Sequence, residues 1–545
     1  MPARRMVAEG PCAFRPAREA ALSGAVAASL AALLLWLGPP GNDFAAHLYQ
    51  RTLFLEHGFV LWNNLWYAGR YSFVTYSLLY YPLSALLGIK VLALASIATA
   101  ALAFALLLAR QWGRPARLSG RAFAVVWPGT VLSATFPFTL GAALALLGVC
   151  ALQGGHRRRF AVLAVLAFAA SPLAFAFLAI TLAGIGLARW REWLRPSLPL
   201  AIVVVGVLAE VVLVRLFPSG SRYPFRISDL IPALAFAALG LLAAWRVERA
   251  GLLFAIFGIY TAACLAAFMV PSDLGGNLAR LRYAAVPLAL LAAALRGWRP
   301  LRVVLPVVVL ACAWNLPALA RNFQRSAADP AARPDYWQPA ISFLRSNLSP
   351  DYRVEAVDTV GHWAAVDLPE AGIPLVRGWY RQDDLPVNAI LYGRFVPSVY
   401  RAWLRRLAVR YVVLTDAPPD FSAVAEAALL RSGRSGLRPV FHSRHVTIFA
   451  VPRPQPLVTG PGRARVVKLL PTRALVSVGA PGLYRVAIHY SPYWRTSQGC
   501  LSRGRDGMLL VNVVRAGVVD LDFKVNVHRG LRVLAGLTPA RLCGG

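Results

Sequence analysis

Charge is scarce in this 545-residue chain. Charged residues make up 15% of it, against about 25% in a typical soluble protein. Acids are the rarest, 24 in all, and only 9 of them precede residue 323. Lysine is nearly absent, confined to Lys90, Lys468 and Lys524. With 58% hydrophobic residues and a mean hydropathy of +0.56, these shortages exclude a soluble globular protein of this length. The net charge of +33 is almost entirely an arginine charge. The arginines are scattered at loop ends and not gathered on one helix or patch, so no nucleic-acid partner is expected. Cysteine is sparse too: six residues, with no C-x-x-C pair and no His-rich ligand spacing, so no metal centre is signalled. No P-loop, dinucleotide fingerprint or Ser-His-Asp order is evident, and no cofactor is expected. The glycine pairs Gly154-Gly155 and Gly275-Gly276 lack the strand and helix context such motifs need.

What the chain does have is apolar runs, recurring from Ala20 to Ala320 and separated by arginine clusters or Pro/Gly turns. Arg4, Arg5, Arg15 and Arg18 precede the first run, and Arg110, Arg114, Arg117 and Arg121 follow the second. Further clusters are Arg157 to Arg159; Arg189, Arg191 and Arg195; Arg246 and Arg249; and Arg296, Arg299 and Arg302. Cytoplasmic loops accumulate Lys and Arg, and every cluster falls on one side if the spans alternate. That alternation needs short up-and-down pairs in two stretches, one with a polar break near Ser133 to Pro137, the other broken at Ser171-Pro172. Each half is shorter than the ~20 residues of a full span. The expected fold is thus a polytopic α-helical membrane protein of about 11 spans, residues 21–321, behind a cytoplasmic tail of residues 1–20. No small-x-small cleavage site follows the tail, so the first run reads as a retained anchor.

With the N-terminus inside and an odd count of spans, loops 38–76, 217–229 and 271–282 face out, as does the C-terminus. From about Asn322 the pattern changes. DYWQPAISFLRSN reads as an amphipathic helix, and RVEAV, RYVVLTD and VTIFAV as strands of an extracytoplasmic α/β unit, residues 322–455. From Pro456, short alternating runs between Gly, Pro and Asn turns predict an extracytoplasmic β-sandwich, residues 456–545. Cys500 and Cys543 are the only cysteines there, and pairing in an oxidising compartment is one of two open alternatives.

The first outer loop carries the most chemistry. It runs GNDFAAHLYQRTLFLEHGFVLWNNLWYAGRYSFVTYSLLYYP, with Asp43 as its first acid and His47 one helical turn later. Glu56 is a second acid. An acid in this place also serves as an ordinary helix cap, and a His beside an acid is often a structural hydrogen bond. Yet the order of an acid, a short helix, a WNN turn at Trp62 and Asn63, a YAGR turn and a YYP entry resembles the first loop of GT-C glycosyltransferases that use lipid-phosphate sugars. It looks most like the bacterial 6-pyruvoyl-tetrahydropterin-synthase-related and YfhO-like membrane proteins. Here YYP stands for a fuller YPP, and a single Asp for the paired acids of some members. The resemblance covers roughly residues 20–320, and the C-terminal part more loosely through YSPYWR.

The resemblance implies a membrane glycosyltransferase whose first-loop acid is general base on the acceptor hydroxyl. The donor it implies is a polyprenyl-phosphate-linked sugar, and the acceptor a cell-envelope glycan, lipid or protein. Asp43 then takes the base role, with His47 orienting it or the acceptor. A departing phosphate needs cationic donors, and outer-loop arginines supply them: Arg280 and Arg282 first, then Arg222 and Arg226. Glu56, Trp62 and Asn63 complete the expected substrate-binding set. GHWAAVDLPEAGIPLVRGWYRQDD is dense in aromatic and polar residues, and suits either sugar stacking or a packed interface. Two other functions stay open: a transporter or flippase of a lipid-linked envelope precursor, whose path the broken spans would suit, and a non-catalytic envelope scaffold.

Overall fold

The computed structural model describes residues 14–189, 198–393, 395–537 and 541–543. Arg4, Arg5, Arg191 and Arg195, used above for orientation, lie outside them. Eight helices are long and apolar enough to cross a membrane: Pro16–Leu37, Ile89–Trp112, Phe136–Gln153, Leu198–Leu216, Ile227–Ala244, Glu248–Met269, Gly275–Leu295 and Leu301–Ala327. The chain is a polytopic membrane protein. Eleven passages are reached only by adding three short helical runs: residues 117–133, Arg157–Ala170 and Pro172–Ala188. The two breaks fall where the sequence placed them, each with a local cause. Ala134 adopts a left-handed φ of 51° and ends the run before it. Ser171 caps the next helix by accepting from the Ala174 amide at 3.3 Å, and Pro172 opens it at the position where a missing N–H costs nothing.

Both ends of the bundle are legible from their contacts. At one end Arg117 and Arg121 pair with Glu19, the Trp112 indole donates to the Arg249 carbonyl, and Arg296 donates to the Ala243 and Trp245 carbonyls. At the other, the loops expected to face out meet one another and the C-terminal region. The Arg222 amide donates to Gln382, the Tyr223 amide to Ser272, and the Tyr493 hydroxyl to Leu216.

The C-terminal region begins with helix Gln338–Asn347 and a four-stranded sheet. Strand Arg353–Ala356 runs parallel to Val409–Thr415, which pairs antiparallel with Val446–Ala450, and that strand with Arg438–His442. A five-stranded and a four-stranded antiparallel sheet follow and form a sandwich. Their strands alternate as a half-buried sheet must: Ala474, Val476 and Val478 point inward while Arg473, Leu475 and Ser477 do not. Cys500 is disulfide-bonded, and its Cα pairs with that of Cys543 across neighbouring strands.

One segment of the first loop locks these layers together. Trp62–Asn63 and Arg70–Tyr71 form a two-stranded ribbon. Trp62 sits inside the sandwich core, 4.9 Å from the Phe523 ring and 5.7 Å from Trp494. Asn64 bonds the Leu470 carbonyl at 2.8 Å, and Trp66 the Ala365 carbonyl at 2.9 Å. Arg70 pairs with Asp383 at 2.6 Å, both groups buried. Tyr67 and Ala68 each take φ of 56°, a conformation costing non-glycine residues of order 1–3 kcal/mol that persists only where surrounding contacts determine it.

Candidate functional site

Asp43 is placed by the break at Ala134. A helix end leaves carbonyls without intrahelical partners, and here two of them are taken by the first loop: Asn42 and Asp43 amides donate to Leu132 and Ser133 at 3.3 and 3.1 Å. The approach is so close that a side chain on Gly41 would overlap the Val131 carbonyl. Asp43 occupies the N-cap position of helix Phe44–His57, where a carboxylate ordinarily accepts from the first-turn amides. It does not: its side chain makes no capping bond, and no other hydrogen bond or ion pair within 4 Å among the described residues. The ordinary helix-cap reading therefore fails. The carboxyl keeps some exposed surface, yet protein atoms crowd it on most sides. That burial lifts its pKa to about 6, against the opposing pull of Arg280, His362, Arg381 and Arg282.

The two first-choice arginines come from the turn Gly275–Leu281 and the helix Arg282–Leu295. Ser133 ties that helix to Asp43, since its carbonyl takes the Asp43 amide while its hydroxyl takes the Tyr283 hydroxyl at 2.8 Å. Arg280 stands 5.8 Å from the Phe138 ring centre and has no ion pair within 4 Å among the described residues. The Arg282 Nε is buried without a hydrogen-bond partner. Both cations therefore keep unspent donors beside an unspent carboxylate.

The C-terminal region completes the surroundings. The Phe44 and Trp363 rings, each next in chain to a polar residue of interest, lie 6.4 Å apart, and Tyr76 and Tyr380 lie 4.9 Å apart. Through these contacts His362 and Arg381 reach the neighbourhood of Asp43. His362 Nδ1 is 2.7 and 2.8 Å from the two Asp358 oxygens, and Arg381 pairs with Asp420 at 2.9 Å. Arg377 holds Asp384 at 2.7 Å and Asp358 at 3.7 Å. Neither His362 nor Arg381 was singled out from sequence. The aromatic and polar density of GHWAAVDLPEAGIPLVRGWYRQDD marked the segment, and nothing local marks which of its side chains meet a loop three hundred residues earlier.

None of the other expected site residues bonds the Asp43 side chain among the described residues. His47 makes no hydrogen bond to Asp43. It is fully buried, with Nε2 2.9 Å from the Ala134 carbonyl and Nδ1 3.3 Å from the Tyr81 hydroxyl. Nε2 is accordingly the protonated nitrogen, and burial lowers the ring pKa to about 3, so His47 stays neutral and holds the break in place. Glu56 lies at the far end of helix Phe44–His57, about 20 Å from Asp43 at 1.5 Å per residue, exposed beside His57. Trp62 is core of the sandwich, and Asn63 is buried, bonded to Tyr49 and to the Leu65 amide. Arg222 and Arg226 are exposed. Arg226 lies 4.7 Å over the Phe421 ring, whose centre is 4.2 Å from Arg381, which places it beside a site residue without an observed bond to one.

No protein-family model matches the chain, and no curated protein sequence does. Among solved structures it is similar to arabinofuranosyltransferase AftD from Mycobacteria, 15% identical over 95% of this chain and 58% of that one, with a TM-score of 0.44. Two mutant structures of AftD give 14% identity, 97% of this chain, 61% and 60% of theirs, and TM-scores of 0.45 and 0.46. The chain spans about three fifths of the length of AftD. A likeness at this level transfers no residue role.

Proposed function

We propose that this chain is a membrane glycosyltransferase of the GT-C type, moving a sugar from a polyprenyl-phosphate donor to a hydroxyl of a cell-envelope glycan, lipid or protein on the outer face. The observation that carries the reading is the Asp43 carboxylate: it sits where a cap belongs, caps nothing, and is surrounded by arginines with free donors. A carboxyl ionised at neutral pH but lifted toward it is suited to take the proton of an attacking hydroxyl. Arg280 and Arg282 hold the phosphate by charge-assisted bonds and stabilise the charge that develops on it as the sugar leaves. The order acid, WNN, YAGR, YYP supports kinship with the 6-pyruvoyl-tetrahydropterin-synthase-related and YfhO-like branch. The proposed division is a tail of residues 1–20, a membrane unit of 21–321, and extracytoplasmic units of 322–455 and 456–545. The arginine clusters at the opposite end of the bundle support that orientation.

The test is transfer from labelled polyprenyl-phosphate sugars in membranes carrying Asp43→Asn. Loss of one general base lowers such rates about 10²- to 10⁴-fold. Full transfer at normal protein level would sink the assignment.

A further inference from the structure

His362 combines four features. Its backbone is left-handed, φ 56°, in a residue that is not glycine. The preceding Gly361 leaves no room for a side chain, because the Asp329 carboxylate occupies that space. The ring is nine-tenths buried and clamped at Nδ1 by both oxygens of Asp358. Its second nitrogen, Nε2, makes no hydrogen bond among the described residues and keeps contact with the surface. The carboxylate orients the ring and fixes a proton on Nδ1, so that Nε2 is the nitrogen left for chemistry. Packing of Phe44 against Trp363 then brings this nitrogen's loop against the Asp43 loop.

We propose that His362, positioned by Asp358, is the proton-bearing donor that receives the departing phosphate of the lipid-linked sugar while Asp43 deprotonates the acceptor. This rests on the lipid-phosphate reading above and assigns its leaving-group side. As the acceptor oxygen bonds to the anomeric carbon, the carbon–oxygen bond to phosphate breaks and its electron pair stays on the phosphate oxygen. The acceptor proton passes to Asp43. The phosphate gains one negative charge, and the Nε2 proton of the imidazolium is donated to the oxygen that bears it. The dianion of a phosphate monoester takes up its first proton with a pKa near 6, close to that of imidazole at about 6.5, so the two share a proton readily. Burial opposes the charged ring, but the Asp358 carboxylate outweighs it and raises the His362 pKa. The other charged groups that face the ring are Asp420, Arg381 and Asp43, with Arg377 on Asp358 and Asp329 behind Gly361. Asp358 itself touches no substrate and is a positioning residue.

The experiment measures binding of undecaprenyl monophosphate to the full chain in nanodiscs between pH 5.5 and 8. Wild type is expected to bind more weakly as His362 deprotonates. His362→Asn, whose side chain tolerates a left-handed backbone, is expected to bind about tenfold more weakly at pH 6 and to keep only the smaller pH dependence that Asp43 and the phosphate themselves contribute. Asp358→Asn is expected to keep the dependence with its midpoint moved to lower pH, which a purely structural carboxylate would not do. Thermal unfolding reports whether each variant is folded. If folded His362→Asn keeps wild-type affinity and pH dependence, the proposal is overturned while the lipid-phosphate reading stands. Should His362→Asn fail to fold, an unmoved midpoint in Asp358→Asn overturns it equally. If wild type itself binds no undecaprenyl monophosphate, the lipid-phosphate reading falls and takes the proposal with it.

Discussion

The two halves of the first loop make an instructive pair. Both look functional in sequence: one offers Asp43 and His47, the other Trp62, Asn63 and the YAGR turn. In the second half every named polar group is consumed. Trp62 bonds Asn64, Asn63 bonds Tyr49, Arg70 bonds Asp383, and the rings fill a core. In the first half His47 is consumed in the same way, and Asp43 alone keeps its oxygens unbonded. Polar residue type and position do not separate chemistry from structure here. What separates them is whether the hydrogen-bonding capacity has been spent.

That contrast can be broken by substitution. The largest effect is expected at Trp62: Trp62→Ala should cost about 3–5 kcal/mol, as for other buried aromatics, and lose transfer only because the loop unseats. Denaturant unfolding measures the first, and a normal unfolding curve would place Trp62 outside the core. Asp43→Asn should do the reverse. Folding raises its pKa from 3.8 to about 6, so the native state holds the proton more tightly, and this stabilisation is complete below pH ~4 and lost as pH rises through 6. At pH 7 to 8 the ionised carboxylate is a net cost, and the variant should be about 1–2 kcal/mol more stable, a figure discounted because the group is partly open to solvent. Equal or lower stability would show that the carboxylate is bonded after all. In wild type, transfer should fall as pH drops through about 6, half-maximal near that value. A profile flat from pH 5 to 7 would remove Asp43 as the base. The smallest effect is expected at Glu56, where Glu56→Gln should change stability by no more than about 0.5 kcal/mol and leave transfer unchanged. Loss of transfer there would return Glu56 to the site.

How far the sequence reveals this arrangement follows from the range of the interactions. The apolar runs, the breaks at Ser133 to Pro137 and Ser171-Pro172, and the sandwich strands are set by local composition and period, and they were legible. Asp43 stands out in the sequence because it follows a span directly and opens a recognisable order of turns. His47 suggests a pair with Asp43 because acid and histidine four apart share a face in any helix, while its observed partner, the Ala134 carbonyl, exists only because another segment breaks. His362 was invisible for the same reason: its partner Asp358 is local, but its meeting with the Asp43 loop passes through rings more than three hundred residues apart. Arg226 ranked behind Arg280 in the sequence although both lie in outer loops, and the packing of the helix behind Ser133 separates them in space.

The ribbon at Trp62 has a consequence for synthesis. The Asn64 side chain waits for Leu470, 406 residues later in the chain. At ~5–20 residues per second of translation, that delay is on the order of 20–80 s. Until then the Trp62 ring lacks its core, and Ala68, whose carbonyl accepts from the His489 amide, lacks that contact. A ribosome that stalls before the sandwich is made leaves the Trp62 ribbon without the core it packs in, although Arg280, Arg282, His362 and Arg381 are already in the chain. The last-made sheet is thus the one that seats a ribbon of the first loop.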